Sequence, residues 1–304
     1  GEIDILSNEE FLPYHRPPLS KDFLKKNIET EKLFFKPESF YAEQNISFHP
    51  NTSIDSIDTI AKEISAGNAT FSFDYLVFAT GASPRLLSMP NSDAKNLFYL
   101  RKISDVVDIH AQLDSAKDIV LIGGGYIGLE VASAMVDLGL NVTIIEAEDR
   151  ILKRVTSPEL STFYQSTHEA KGVKIICNAK VNGLIAENQI INCVELESGE
   201  TILADAVLAG IGAIPNTQLA EKAGLDCNNG IATDQYCRTN NPHVLAAGDC
   251  ANSFNALLNQ NIRLESVPNA LSQAKVVSSS IVGNELYNKE LPWFWSDQYD
   301  LKLQ

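Results

Sequence analysis

The chain has 304 residues, 44% hydrophobic and 21% charged, an ordinary globular composition with room for two domains with cores of their own. A formal net charge of -15 opposes binding to nucleic-acid phosphates and to acidic membrane surfaces, and no apolar run is long enough to span a bilayer. Cys177, Cys193, Cys227, Cys237 and Cys250 lie far apart, without the spacing of zinc sites or redox dithiols, and the histidines are scattered. No metal site is expected, therefore, and the thiols read as free and buried, in a reducing, cytoplasmic setting.

In chain order, "EIDILS" alternates like a strand and the acids of "SNEE" end it. It reads as the second strand of a dinucleotide-binding domain, arriving without a first strand, glycine loop and helix. In "LPYHRPPLSKDFL" the pair Pro17 and Pro18 opposes helix, and Ser20 offers an N-cap with Asp22 in the first turn. "SIDTIAKEISAGNATFSF" suggests an antiparallel excursion.

The strongest signal begins at residue 118. "DIVLI" is a continuous apolar run of the kind buried in a parallel sheet, and Gly123, Gly125 and Gly128 follow at GxGxxG spacing. Without side chains they permit a tight turn, close approach of backbone N–H groups to a pyrophosphate, and close helix packing. A helix from about Tyr126 to Leu138 aims its positive end at that pyrophosphate. "NVTIIE" then forms a second strand that ends in Glu146, where a carboxylate can accept both ribose hydroxyls. A carboxylate there repels a 2′-phosphate, which favours NADH over NADPH. Arg150, four residues on, is a nearby cation able to meet a phosphate. Further along, "HVLAAGDCANS" gives a strand ending in a Gly-Asp turn, and "ESVPNALSQAKVVSSSIVG" gives a proline-initiated helix.

Taken in order, "YHRPPLSK", "ATGASPR", "GGGYIGLEVA", "GIGAIPN", "AAGDCAN", "ESVPNALSQA" and "PWFWSDQYDLKLQ" resemble the FAD-dependent ferredoxin reductases of oxygenase systems. The resemblance covers essentially the whole chain. It implies an α/β fold of two Rossmann-like dinucleotide-binding domains of the glutathione-reductase type, with the NAD domain inserted in a split FAD domain. The expected segments are 1–107 and 230–304 for the FAD domain and 108–229 for the NAD domain. The resemblance also implies an FAD loop of about 30 residues before Gly1 and an interface domain after Gln304.

The resemblance assigns roles residue by residue. Lys21 lies beside the reactive flavin nitrogen and Glu130 faces it near the carboxamide of NADH; these are the candidate catalytic pair. Arg16 and Pro17 touch the flavin edge, Thr80 and Gly81 join the FAD contacts, and Asp249, with Gly248 before it, accepts from FAD hydroxyls. The helix beginning near Val267, preceded by Glu265 and Ser266, points its N–H groups at the flavin pyrimidine edge. Tyr126 covers the nicotinamide pocket, with Ile127 and Gly212 also against NADH, and Trp295 lies near the flavin and the docking surface.

The implied reaction passes hydride from NADH to FAD and then single electrons to a [2Fe–2S] ferredoxin or a rubredoxin. Such acceptors are generally acidic, so the stretch "KDFLKKNIETEKLFFKPE", with Lys25, Lys26, Lys32 and Lys36, is the expected docking surface. No cysteine pair relays electrons through a disulfide here. Two other readings stay open: a redox-sensing flavoprotein similar to apoptosis-inducing factor, and a fragment that binds NADH without FAD.

Overall fold

The computed structural model describes residues 1–304. Its largest sheet is parallel throughout and has five strands, in the order Lys174–Ile176, Asn141–Ile145, Asp118–Ile122, Ala206–Ala209 and Leu97–Phe98. The central strand explains its own sequence. Side chains alternate across a strand, so Ile119 and Leu121 enter one core with Leu129, Ala132 and Met135 of the Tyr126–Asp137 helix. Val120 and Ile122 enter a second core with Leu184, Ile191 and Val194. A strand covered on both faces has no polar side, hence the unbroken run "DIVLI".

The cover on that second face is a three-stranded antiparallel sheet, Val181–Glu187, Ile190–Leu196 and Thr201–Leu203, which sequence reasoning did not anticipate. Its first hairpin turns at Asn188 and Gln189, both left-handed, with φ of 53° and 64°. Such a turn usually announces itself by a glycine, and this one has none.

Strands from both sides of this unit form the rest. Ile3–Leu6 pairs in parallel with Ile46–His49, and Leu76–Phe78 pairs in parallel with Val244–Ala246. The expected excursion is present as Ser56–Asp58, Glu63–Ala66 and Ala69–Ser72. Two antiparallel connections tie the halves together. Ala82–Pro84 pairs with Ala213–Pro215, and the hairpin Ser296–Gln298 with Leu301–Leu303 packs on the Tyr126–Asp137 helix. This interleaving, in which one nucleotide-type unit is entered and left by the strands of another, is the α/β arrangement expected.

Two details depart from expectation. The parallel sheet takes in Leu97–Phe98, ahead of the boundary at residue 107, because the short strand satisfies the open edge of Ala206–Ala209. No helix follows Ser20; residues Pro17–Ser20 themselves form a 3-10 turn. Two prolines at its first positions bring fixed φ angles and no N–H to satisfy, and the Ser20 hydroxyl, rather than capping an amide, donates to Glu130.

Candidate functional site

The glycine loop is built as tightly as its spacing implies. Gly123 has φ of +109°, and a Cβ there would sit 2.4 Å from the Gly210 carbonyl oxygen; at Gly128 it would sit 2.4 Å from that of Gly123. At Gly125 a Cβ would meet no protein atom, so the space beside this glycine is open. Glu146 closes the far side. Its Oε2 accepts from the Gly124 N–H at 2.7 Å and its Oε1 from the Glu148 N–H at 2.8 Å, which fixes the carboxylate at the end of its strand. Arg150 stands apart: its guanidinium donates to the Thr156 and Lys153 carbonyls and to Ser161 Oγ.

At the other end of the loop helix, Glu130 is only 5% exposed and carries an ion pair, with Lys21 Nζ at 2.7 Å from its Oε2. Buried carboxylates need their full set of donors, and Glu130 has it. Ser20 Oγ donates to Oε2 at 2.5 Å and Ser296 Oγ donates to Oε1 at 2.7 Å. The Lys21 ammonium also donates to the Pro17 carbonyl at 3.3 Å. Tyr126 lies along the same seam. Its hydroxyl is pushed up to about 12, by burial first and then by the negative fields of Glu265, Asp249 and Glu130. Its ring packs 5.3 Å from that of Phe294, and Trp295 packs 5.9 Å from Trp293.

The Gly248–Asp249 turn and the Val267–Ile281 helix form one unit. Gly248 is left-handed at φ of +80°, and its N–H donates to Gln273 Oε1 on that helix at 2.7 Å. Ser266 caps the helix by accepting from the Asn269 N–H at 3.3 Å, and Pro268 sits in its first turn. Arg263 links this unit to Glu265 Oε1 at 2.6 Å and to the Asp249 carbonyl at 3.2 Å. Asp249 Oδ2 accepts from Arg101 at 2.6 Å, and the Arg101 guanidinium lies against Gly81, 3.3 Å from where a Cβ would be. Arg16 donates to the Arg101 carbonyl at 2.8 Å and pairs with Glu9 at 2.6 Å. Burial raises the Glu9 carboxyl, but hydrogen bonds from Tyr14 and Arg16 outweigh it and hold the group below its ordinary value. Thr80 and Gly81 are tied to Asn216, and Gly212, at φ of +111°, accepts from the Arg85 N–H at 2.9 Å.

The fold thus brings Lys21, Glu130 and Tyr126 to one seam with Asp249 and Glu265, while Glu146 lies across the glycine loop and Arg150 is committed elsewhere. The lysine stretch is engaged at two of its four lysines, while Lys36 lies over the Phe40 ring. Lys25 pairs with Asp137 at 3.2 Å and Lys26 with Asp114 at 2.7 Å. Sequence reasoning missed Ser20 as a Glu130 ligand, Ser296 and Arg101. Nothing local marks them, since each meets its partner across a large stretch of chain. No helix is long and apolar enough to cross a membrane.

The family model for pyridine nucleotide-disulphide oxidoreductases matches residues 1–274. Rubredoxin-NAD(+) reductase of Pseudomonas putida is 41% identical over 305 residues, covering 100% of this chain and 79% of the relative. Putidaredoxin reductase of the same species is 38% identical over 311 residues, with 100% and 74% covered. Among solved structures, the covalent putidaredoxin reductase–putidaredoxin complex matches with a TM-score of 0.95 and 38% identity, over 99% of this chain and 73% of that one. The ferredoxin reductase from Rhodopseudomonas palustris matches with a TM-score of 0.96 and 35% identity, over 99% and 75%. A glycine loop and an acid-ended strand set beside a second set of nucleotide-type strands, together with these matches over the chain's whole length, place it: the chain belongs to the pyridine nucleotide-disulphide oxidoreductase family.

Proposed function

We propose that this chain is an NADH-dependent flavoprotein reductase whose electrons pass singly to a [2Fe–2S] ferredoxin or a rubredoxin that feeds an oxygenase. The observation that carries the reading is the ion pair between half-buried Lys21 and buried Glu130, 2.7 Å apart, which joins the turn after Pro17 to the helix of the glycine loop. The names of the relatives, rubredoxin-NAD(+) reductase and putidaredoxin reductase, supply the class of acceptor.

The residues present fit both nucleotides. For NADH, the open face of Gly125 and the N-terminus of the Tyr126–Asp137 helix receive the pyrophosphate, and Glu146, already oriented by Gly124, accepts from the ribose. Ile127 and Gly212 border the nucleotide. For FAD, Asp249, held by Arg101, offers acceptor oxygens, and the capped Val267–Ile281 helix directs its free N–H groups to the same side. Arg16, Pro17, Thr80, Gly81, Gly248, Glu265 and Ser266 complete this half. When bound, the flavin supplies the exchange between a two-electron hydride donor and one-electron acceptors.

The protein's own part is placement and charge. The Lys21 ammonium is held beside Glu130 rather than free to rotate, so its position costs no further ordering when substrate enters. Tyr126 and Trp295 cover the seam and keep water out. Residues 1–107 and 230–304 are assigned to the flavin-binding half and 108–229 to the NADH-binding half, the latter borrowing Leu97–Phe98 as a sheet edge. All five cysteines are free, in keeping with a reducing cytoplasm.

Purified protein should show the visible flavin band, lose it on anaerobic addition of NADH, and regain it when an iron–sulfur acceptor is added. A colourless protein, or one bleached by NADH and reoxidised by no member of a panel of ferredoxins and rubredoxins, would reject the reading.

A further inference from the structure

The Lys21–Glu130 pair is one end of a longer chain of polar groups whose middle links are buried. Beyond Ser296, which donates to Glu130, Gln298 Nε2 donates to Ser296 Oγ at 3.1 Å. His168 Nε2 lies 2.9 Å from Gln298 Oε1, and the Tyr299 hydroxyl lies 3.1 Å from His168 Nδ1. Chemistry sets the directions. Gln298 Oε1 only accepts, so His168 carries its proton on Nε2, and the Nδ1 of a neutral imidazole then accepts from Tyr299. Burial keeps His168 neutral by depressing its pKa, against the smaller opposing effect of the Gln298 hydrogen bond. Every donor therefore points toward the Glu130 carboxylate.

His168 sits near the end of the Pro158–Ala170 helix, Ser296 and Gln298 share one face of the hairpin, and Glu130 belongs to the glycine-loop helix. His168, Gln298 and Ser296 are each 0% exposed, so a broken link strands a polar group where no water replaces its partner. Glu130 has both oxygens claimed from different sides, Oε1 by the hairpin and Oε2 by Ser20 and Lys21.

We propose that His168 is a positioning residue for the Lys21–Glu130 pair, acting through Gln298 and Ser296 to hold the Glu130 carboxylate in one orientation. The inference rests on the role given above to that pair. Without the His168 N–H the Gln298 amide is free to turn, Ser296 loses the donor that fixes its hydroxyl, and Glu130 loses its anchor on the hairpin side.

The test uses the full chain carrying its flavin. His168→Leu removes the donor, and His168→Gln keeps an N–H close to the Nε2 position. Ser296→Ala cuts the chain next to Glu130 with a smaller change in side-chain volume. His168→Leu and Ser296→Ala should each slow flavin reduction at saturating NADH about tenfold, with NADH affinity within about twofold, and His168→Gln should recover all but about threefold. Independently of turnover, the imidazole ¹⁵N resonances assigned to His168 should report the Nε2–H tautomer and should shift in Glu130→Gln. Unchanged reduction in both His168→Leu and Ser296→Ala, or equal slowing in the Leu and Gln variants, would overturn the inference. If Lys21→Ala leaves flavin reduction unimpaired, the role of the pair itself falls; if only the His168 and Ser296 variants are silent, the pair stands and the relay falls.

Discussion

Two glycines that follow the same strand, Asp118–Ile122, carry different burdens. Gly128 is fixed by packing, since a methyl group there would press on the Gly123 carbonyl at 2.4 Å, whereas Gly125 faces open space with φ of -77°, which alanine tolerates. Gly128→Ala should therefore lower unfolding stability by about 1–3 kcal/mol, as overpacking does, read from urea denaturation. Gly125→Ala should leave that curve in place and weaken NADH binding. Equal effects of both on stability would contradict this division. Glu146 belongs to the same scale: Glu146→Ala should reduce the preference for NADH over NADPH by at least about tenfold, measured as the ratio of kcat/KM values, because one carboxylate both orients on Gly124 and opposes a 2′-phosphate. The residue types at these positions were legible, and so was the chemistry they imply. Arg150 was legible only as a charge; its engagement with Thr156, Lys153 and Ser161 depends on how the following loop folds back.

Elements with strong local punctuation formed where their sequence placed them. The Val267–Ile281 helix starts at a serine cap followed by proline, and the cap hydrogen bond is made. Ser266→Ala should cost about 1 kcal/mol and Ser266→Asp much less, by thermal or urea unfolding, since only the side-chain acceptor matters. The Tyr126–Asp137 helix likewise begins at the glycine loop and ends just before Gly139, at φ of +81°. Ser20 failed as a cap for an instructive reason. The same hydroxyl that could have capped a local amide found a buried carboxylate, a charged acceptor that forms the stronger bond. The hairpin at Asn188 and Gln189 escaped notice because Gln189 holds the second left-handed position, where glycine usually follows asparagine.

At the scale of the molecule, the polar chain that begins at Lys21 links four elements, so its disturbance is felt as stability as well as geometry. His168 is neutral and buried, with its pKa below the ordinary 6.5. The unfolded chain therefore binds a proton that the native state refuses. The contribution is fully present above about pH 6.5 and is lost as pH falls from there toward the depressed native value, at up to about 1.4 kcal/mol per pH unit. In His168→Gln, which has no group to titrate, the fall in Tm between about pH 6.5 and 5 should be shallower than in the unaltered protein. Parallel slopes would mean that other groups account for the acid loss.

By itself the sequence determined the strand, glycine turn, helix and acid-ended strand of the nucleotide-binding unit, and the strand and helix that begin the Gly248 and Val267 segments. All of these rest on patterns spanning a few tens of residues: apolar alternation, glycine spacing, a proline after a cap. Only the tertiary structure decided which polar groups meet in the interior. Ser20 reaches Glu130 across 110 residues, Arg101 reaches Asp249 across 148 and Ser296 reaches Glu130 across 166. Apolar side chains are interchangeable occupants of a face and leave a periodic trace, but a buried donor needs one particular acceptor, and no local rhythm records where along the chain that acceptor lies.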